Sequence, residues 1–272
     1  MIRLTNYAGS FYPEKENELN RLIDIYLSKV EPYDRESNTL GVIVPHAGYV
    51  YSGATAAYAY KYVQQKKVKR VFLIAPSHRG GQTPFSVLLY RLLKTPLGNL
   101  SVDQDIAKKL SDDKRFFFNS FFDRQEHSLE VQLPFLYRLF QDAKIIPIMF
   151  NHQTHDNALY LADILEPYVS DDDHNLIVIS SDFSHYYDAE IAEKMDMKAA
   201  ELICQLDTEL FFESNKNAKI EACGLGGIIT MMELSKRLGY NMCKLLKYSH
   251  SGMVSNDNSQ VVGYASLAFD RE

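Results

Sequence analysis

Residues 71–80 read VFLIAPSHRG, a short apolar run that ends in proline, serine and histidine. Such a run, rich in Val, Ile and Leu, is typical of a strand that is buried on both faces of a parallel sheet. Three other stretches share this form, namely GVIVPH at 41–46, IIPIMFNH at 145–152 and LIVISSDFSH at 176–185. We therefore predict strands at 40–44, 70–75, 144–149 and 175–180, each followed by a histidine.

Amphipathic helical patterns separate these strands. The clearest begins after Pro13, a residue suited to the first helical turn, and repeats apolar residues every three or four positions up to Val30. Helices are predicted at 14–30, 53–66, 103–111, 128–140, 155–169, 188–205 and 224–238. The fourth should be kinked at Pro134 or start there. The runs 243–248 and 261–269 are predicted as further strands, and 249–260 as a mobile loop.

The alternation of strands and helices predicts an α/β fold. We expect a single-domain αβα sandwich over residues 1–272, with a mainly parallel or mixed central sheet, because 46% apolar residues suffice for a large core. A net charge of −6 and the lack of a dense Lys/Arg block argue against nucleic acid as a partner. Without a signal-peptide pattern or a membrane-spanning apolar run, a soluble cytoplasmic protein is expected.

The histidines that follow the four strands predict a site. Ligands of open α/β folds bind at the carboxyl ends of the strands, so we expect His46, His78, His152 and His185, with Asp182, to share one edge of the sheet. One histidine there is more often structural than functional, but four of the eight in the chain indicate a real site. His152 is the weakest member, because NHQTH also fits a loop that caps a helix.

Two further segments carry polar side chains that suit catalysis. In Glu126-His127-Ser128 the carboxylate can fix the tautomer of His127 and raise its pKa, although a helix start capped by Ser128 explains the pattern equally well. Cys223, in EACGLGG at 221–227, precedes a predicted helix whose N-terminus lowers the pKa of a thiol. The other cysteines, Cys204 and Cys243, are predicted to be buried free thiols and not a disulfide.

The motifs PHAGYVYSG, APSHRG, EHSLEVQLPFL, SSDFSHY and EACGLGG, in this order between residues 45 and 227, resemble the Memo family, which includes the AmmeMemoRadiSam system protein B. The opening YAGSFYP fits as well. The resemblance implies a LigB-like fold, that of class III extradiol dioxygenases, which hold iron with two histidines and a carboxylate. It places His46 and His78 at the two histidine ligands and Cys223 at the carboxylate position. His127, Asp182 and His185 match further residues of the cleft, as catalytic candidates.

Three functions are compatible with these residues. The first is a metal-dependent redox enzyme with iron or copper, as the resemblance implies, although a sulfur ligand casts doubt on dioxygenase chemistry because it favours soft metals. The second is a module that holds a peptide or small molecule in the same cleft, with Tyr49 and Tyr51 in its wall. The third is a zinc hydrolase, since two histidines, a thiolate and a water form a catalytic zinc site. The loop at 46–53 has no nucleotide-binding spacing, so no nucleotide cofactor is expected.

Overall fold

The computed structural model describes residues 1–33, 38–170 and 174–271. The elements of its first half are β1 (Ile2–Arg3), α1 (Glu16–Ser28), β2 (Thr39–Val44), α2 (Tyr49–Val63), β3 (Arg70–Pro76), β4 (Phe85–Val87), β5 (Leu92–Thr95), β6 (Gly98–Ser101), α3 (Gln104–Ser111), α4 (Ser120–Arg124) and α5 (Leu133–Phe140). Those of its second half are β7 (Lys144–Phe150), α6 (His155–Val169), β8 (Asn175–Ser180), β9 (His185–Tyr187), α7 (Ala189–Gln205), α8 (Thr208–Lys216), α9 (Leu225–Leu238), β10 (Met242–His250), α10 (Gly252–Ser255) and β11 (Val261–Asp270).

The central sheet is mixed, with the strand order β10-β11-β2-β8-β3-β7-β4, and β9 pairs with β11. Strands β2, β8, β3 and β7 are parallel to one another, and their carboxyl ends therefore lie along one edge. Strands β10, β11 and β4 run antiparallel to their neighbours. A smaller sheet has the order β1-β5-β6. The predicted α/β class is confirmed, and all four predicted parallel strands are present.

Helices cover both faces of the central sheet. Gly41 in β2 faces α9, where an added Cβ atom would collide with Met231 and with the carbonyl oxygen of Ile177. Ser266 in β11 faces the opposite way and donates a hydrogen bond to the carbonyl oxygen of Thr55 in α2, at 2.7 Å. Because both faces are covered, the parallel strands are buried along nearly their whole length and carry continuous apolar sequences.

Two predicted helices begin elsewhere than expected. Helix α2 starts at Tyr49 and not at residue 53, because the carbonyl of Gly48 accepts hydrogen bonds from the backbone amides of Tyr51 and Ser52. The segment predicted as a helix at 128–140 is a 3-10 turn over Glu130–Gln132 followed by α5. Helix α5 begins at Leu133, one residue before the start that was predicted at Pro134. Pro134 lies in its first turn, where a backbone N–H would have no partner within the helix.

Several elements lay outside the sequence predictions. The predicted loop at 249–260 is partly regular, since β10 extends to His250 and α10 follows it. Helix α8 and the strands β4, β5, β6 and β9 were not predicted. Strands this short show too few alternations of apolar and polar residues for a period to be recognised. None of the helices in the described ranges combines the length and apolarity that a membrane crossing needs.

The prediction that Cys204 and Cys243 are free thiols is wrong. The two residues form a disulfide between the end of α7 and the start of β10, with Cα atoms 4.8 Å apart. Their separation of 39 residues matches no sequence motif, and only the packing of α7 on β10 brings them together. Among the described residues Cys223 is the free cysteine.

Candidate metal centre

His46 and His78 meet at the carboxyl edge of the parallel strands. Each lies two residues beyond its strand, and β8 lies between β2 and β3 in the sheet, so the two loops converge above it. The imidazole centres are 5.5 Å apart. His152, at the end of β7, is directed elsewhere: its Nε2 is 2.9 Å from the carbonyl oxygen of Gly81. The shared edge was predicted correctly, and the doubt about His152 is consistent with this geometry.

Cys223 reaches the same point from the loop before α9. Its Sγ is 3.2 Å from Nε2 of His46 and accepts a hydrogen bond from the backbone amide of Asp182 at 3.1 Å. Gln153, which the sequence did not single out, fastens this loop by donating to the Cys223 carbonyl at 2.7 Å and accepting from the Gly226 amide at 2.9 Å. Two loops remote in sequence thereby place a sulfur beside an imidazole.

The donor atoms of His46, His78 and Cys223 all lie within 4.8 Å of one another. Ligands about 2.0–2.3 Å from one ion lie up to about 4.5 Å apart, so small side-chain adjustments suffice to bring all three to a single ion. His46 is buried, whereas the side chain of His78 is 37% exposed, which leaves one side of the group open to solvent. The donor set therefore fits a transition metal with an open coordination position.

Glu126 orients His78. Its carboxylate accepts hydrogen bonds from Nδ1 of His78 at 2.9 Å and from the backbone amides of His78, His127 and Ser128 at 2.6 to 3.1 Å. Burial alone raises the pKa of Glu126, but the bonds and charge of His78 outweigh it and lower the pKa to about 2. Desolvation lowers the pKa of His78, and Glu126 more than reverses this, so that its pKa is raised.

The predicted rise in the pKa of His127 is wrong, although Glu126 acts on this histidine as well as on His78. Desolvation lowers the pKa of His127, the nearby charge of Glu126 only partly offsets this, and the net shift is downward. The ring stacks on His78 with centres 4.8 Å apart and packs against Phe11 at 4.7 Å. His127 is therefore a neutral imidazole beside the candidate metal ligands, in a position to accept a proton.

Asp182 and His185 flank the group without joining it. Oδ1 of Asp182 accepts from the backbone amides of His46 at 2.7 Å and Ala47 at 3.3 Å, so this carboxylate fixes the His46 loop. Burial raises the pKa of Asp182, and the hydrogen bond from His46 partly offsets it. His185 begins β9, and its buried Nδ1 has no hydrogen-bond partner among the described residues, the carboxylate of Glu221 lying 3.7 Å away.

The pKa of the Cys223 thiol is shifted opposite to the prediction. Desolvation raises it well above its usual value, and the negative charge of Asp182 adds to the effect. Cys223 lies before the N-cap residue Gly224, and the loss of hydration outweighs the helix N-terminus. Burial likewise lowers the pKa of His46 well below its usual value, with His127 and His78 adding to the shift, so His46 is neutral, as a metal ligand must be.

The sequence as a whole is similar to known proteins. A family profile described as Memo-like protein matches residues 3–268. The chain belongs to the Memo family. Among similar proteins, a MEMO1 family protein of Nitrosopumilus maritimus is 35% identical over 99% of this chain and 100% of its own length. One of Desulfurococcus amylolyticus is 38% identical over 96% of both chains. The Memo resemblance inferred from five motifs is thus confirmed across nearly the whole sequence.

Asp196, in α7 of this Memo protein, forms hydrogen bonds with the loop between Asp182 and His185. Its buried carboxylate accepts hydrogen bonds from the amide and hydroxyl of Ser184, both at 3.0 Å, and from the Tyr248 hydroxyl at 2.9 Å. Burial nevertheless raises the pKa of Asp196 to about 6, above its usual value of 3.8. The folded protein therefore favours the protonated form more strongly than the unfolded chain does.

Asp196→Asn is expected to stabilise the protein near pH 7. Because the folded pKa is the higher one, the stability that comes from Asp196 is complete below about pH 4 and is lost as the pH rises through 6, a loss on the order of 2–3 kcal/mol. Asparagine avoids the buried charge, and both hydroxyls can turn to accept from its amide. Urea unfolding from pH 4.5 to 8 measures this, and a constant difference between variant and wild type would contradict it.

Proposed function

We propose that this Memo protein binds one transition metal ion with His46, His78 and Cys223 and acts as a metal-dependent redox enzyme, with iron or copper as the metal. The observation that carries the proposal is the convergence of Cys223 Sγ and two imidazoles, with donor atoms within 4.8 Å of one another. In both imidazoles Nδ1 has a partner inside the protein, which leaves Nε2 for ligation. Bound iron or copper would supply one-electron chemistry that none of these side chains has.

Three nearby side chains have roles around the ion. His127 is neutral and lies against His78, so it serves as the proton acceptor. Asp182 holds the His46 loop and has its second oxygen, Oδ2, 4.0 Å from Nε2 of His46. His185 is a second candidate for moving protons. Ligation removes the proton of the Cys223 thiol, so metal affinity should increase with pH.

The ligand that we propose is a small molecule or peptide seated at the exposed side of His78. Phe11 and Tyr7 pack against His127 and form one wall, with ring centres 4.7 and 5.7 Å from that imidazole. Tyr49 was predicted in this wall but does not belong to it, because its side chain is buried and its hydroxyl donates to the Val131 carbonyl. We also propose a cytoplasmic location, which suits the free thiol of Cys223, whereas the Cys204–Cys243 disulfide is of a kind that is uncommon in a reducing compartment.

Metal binding tests the proposal. Protein purified under reducing conditions is expected to bind one iron(II), copper(I) or zinc(II) ion per chain, and His46→Ala to weaken the binding by more than about 100-fold, because a ligand is removed and not merely a supporting residue. Affinity is measured by competition with a chromophoric chelator under anaerobic conditions. His152→Ala is the matched control and should bind as wild type does. Absence of site-dependent binding in the wild type would refute the metal site.

The alternatives give different results in the same assays. A zinc hydrolase would contain zinc alone and cleave an ester or phosphoester substrate without an electron acceptor. A binding module would hold its peptide or metabolite equally well after His78→Ala combined with Cys223→Ser. Ligand binding that is lost together with the metal supports the redox enzyme.

A further inference from the structure

A buried hydrogen-bond network lies behind His46, on the side away from Cys223. It consists of Ser180 at the end of β8, Gln132 just before α5 and Tyr60 in α2, all with less than 2% of their surface exposed. No water is needed to satisfy these side chains, because each polar atom of the network has a protein partner. Polar groups of this kind are costly to bury unless they are fully paired.

The direction of each bond in the network is fixed by two backbone carbonyls, which can only accept. The side-chain nitrogen of Gln132 lies 3.0 Å from the Pro45 carbonyl oxygen and 2.9 Å from Oγ of Ser180, so it donates to both. Its oxygen then faces Tyr60, whose hydroxyl donates to it at 2.8 Å. The amide orientation of Gln132 is therefore determined by its surroundings.

The hydrogen bonds of Ser180 determine which nitrogen of His46 carries the proton. A serine hydroxyl has one hydrogen, and that hydrogen is donated to the Ser128 carbonyl at 2.7 Å. Oγ of Ser180 already accepts from Gln132, so towards Nδ1 of His46, at 2.9 Å, it can only accept again. Nδ1 must therefore carry the proton, and Nε2 must carry the lone pair, which faces Sγ of Cys223 at 3.2 Å.

We propose that Ser180 and Gln132 are positioning residues that hold His46 in its Nδ1–H tautomer and so keep Nε2 available to a metal ion. This tautomer is a property of the metal-free protein, whereas its role in metal ligation rests on the proposed function. His46 thus has a hydroxyl as its outer partner, where His78 has the carboxylate of Glu126. Outer partners of this kind set the ring orientation and tautomer of ligating histidines.

The tautomer is measured directly in metal-free protein labelled with ¹⁵N-histidine, by long-range ¹H–¹⁵N correlation, with His46→Gln to assign the signals. The wild type is expected to show His46 as the Nδ1–H form. Ser180→Ala removes the acceptor and is expected to release the proton to Nε2 and to weaken zinc(II) binding by about 10–100-fold. Ser180→Thr keeps the hydroxyl and should restore both. Ser235→Ala is the matched control, because Ser235 is fully buried and its hydroxyl has no partner among the described residues.

Each outcome decides the proposal. An Nε2–H signal for His46 in the wild type would overturn it, whatever the variants do. Ser180→Ala with an unchanged tautomer and unchanged zinc(II) affinity would also overturn it. If Ser180→Ala does not fold, the wild-type tautomer and Ser180→Thr still decide. An Nδ1–H tautomer that changes to Nε2–H in Ser180→Ala, in a protein that binds no metal, would confirm the positioning role and refute the proposed metal site.

Discussion

Changing Cys223 to aspartate is expected to weaken copper(I) and zinc(II) binding by at least about 100-fold, more than the 10–100-fold typical of a residue outside the ligand set. Cys223 supplies the sulfur atom of the proposed site, 3.2 Å from Nε2 of His46. Two histidines and a carboxylate form a harder set of donors, so the variant should still accept iron(II). Anaerobic competition titrations with each metal measure the change in preference.

The control for this experiment removes the sulfur atoms of the other two cysteines. Cys204 and Cys243 are joined to each other between α7 and β10, so their double serine variant should bind copper(I) as the wild type does. Copper(I) affinity that survives Cys223→Asp but is lost in the double variant would show that the soft metal binds elsewhere.

Glu130→Ala is expected to lower the free energy of unfolding by about 3–5 kcal/mol, the loss typical when one partner of a buried ion pair is removed. Glu130 is fully buried and receives the Arg3 guanidinium at 2.6 Å and the Tyr12 hydroxyl at 2.7 Å. It also accepts from the backbone amides of Asn6 and Tyr7 at 2.9 and 2.8 Å. Alanine would leave these donors without their acceptor, and urea unfolding measures the cost.

Two variants show whether the loss comes from burial. Glu18→Ala breaks the exposed pair with Lys15 and should cause no measurable destabilisation. Glu130→Gln keeps one acceptor oxygen for Tyr12 and the amides but loses the charge opposite Arg3, so its effect should lie between the other two. Equal losses for Glu130→Ala and Glu18→Ala would contradict this account of how the N-terminal segment is held.

The prediction of the fold succeeded where the sequence pattern is local and long. The parallel strands predicted at 40–44, 70–75, 144–149 and 175–180 agree with the observed bounds within one residue at each end. Strands buried on both faces need continuous apolar runs, and polar turn residues end them sharply. Short elements such as β4 and β9 have three residues each, too few for a period, and their pairing depends on remote strands.

The sequence predicted that the candidate ligands lie close together, but it predicted the wrong direction for two pKa shifts. His46, His78 and Cys223 lie together as expected, but burial raises the pKa of the Cys223 thiol and lowers that of His127. Desolvation depends on what packs around a group, and no neighbour in sequence reveals it. Ser180 and Gln132 had no signal at all, because serine and glutamine are common residues and only their contacts with His46 and Pro45 distinguish them.

The sequence by itself determined the Memo family, the α/β class and the edge of the sheet at which His46 and His78 lie. Motifs, apolar runs and the residues that follow each strand are all local features of the chain, so they can be recognised without the structure. The tertiary structure alone decided that Cys204 and Cys243 pair, and which nitrogen of each imidazole is free. The cysteine pairing and the free nitrogen of each imidazole depend on distances of a few ångströms between segments that are far apart in the chain. Hydrogen bonds and desolvation act over those distances, and sequence spacing does not encode them.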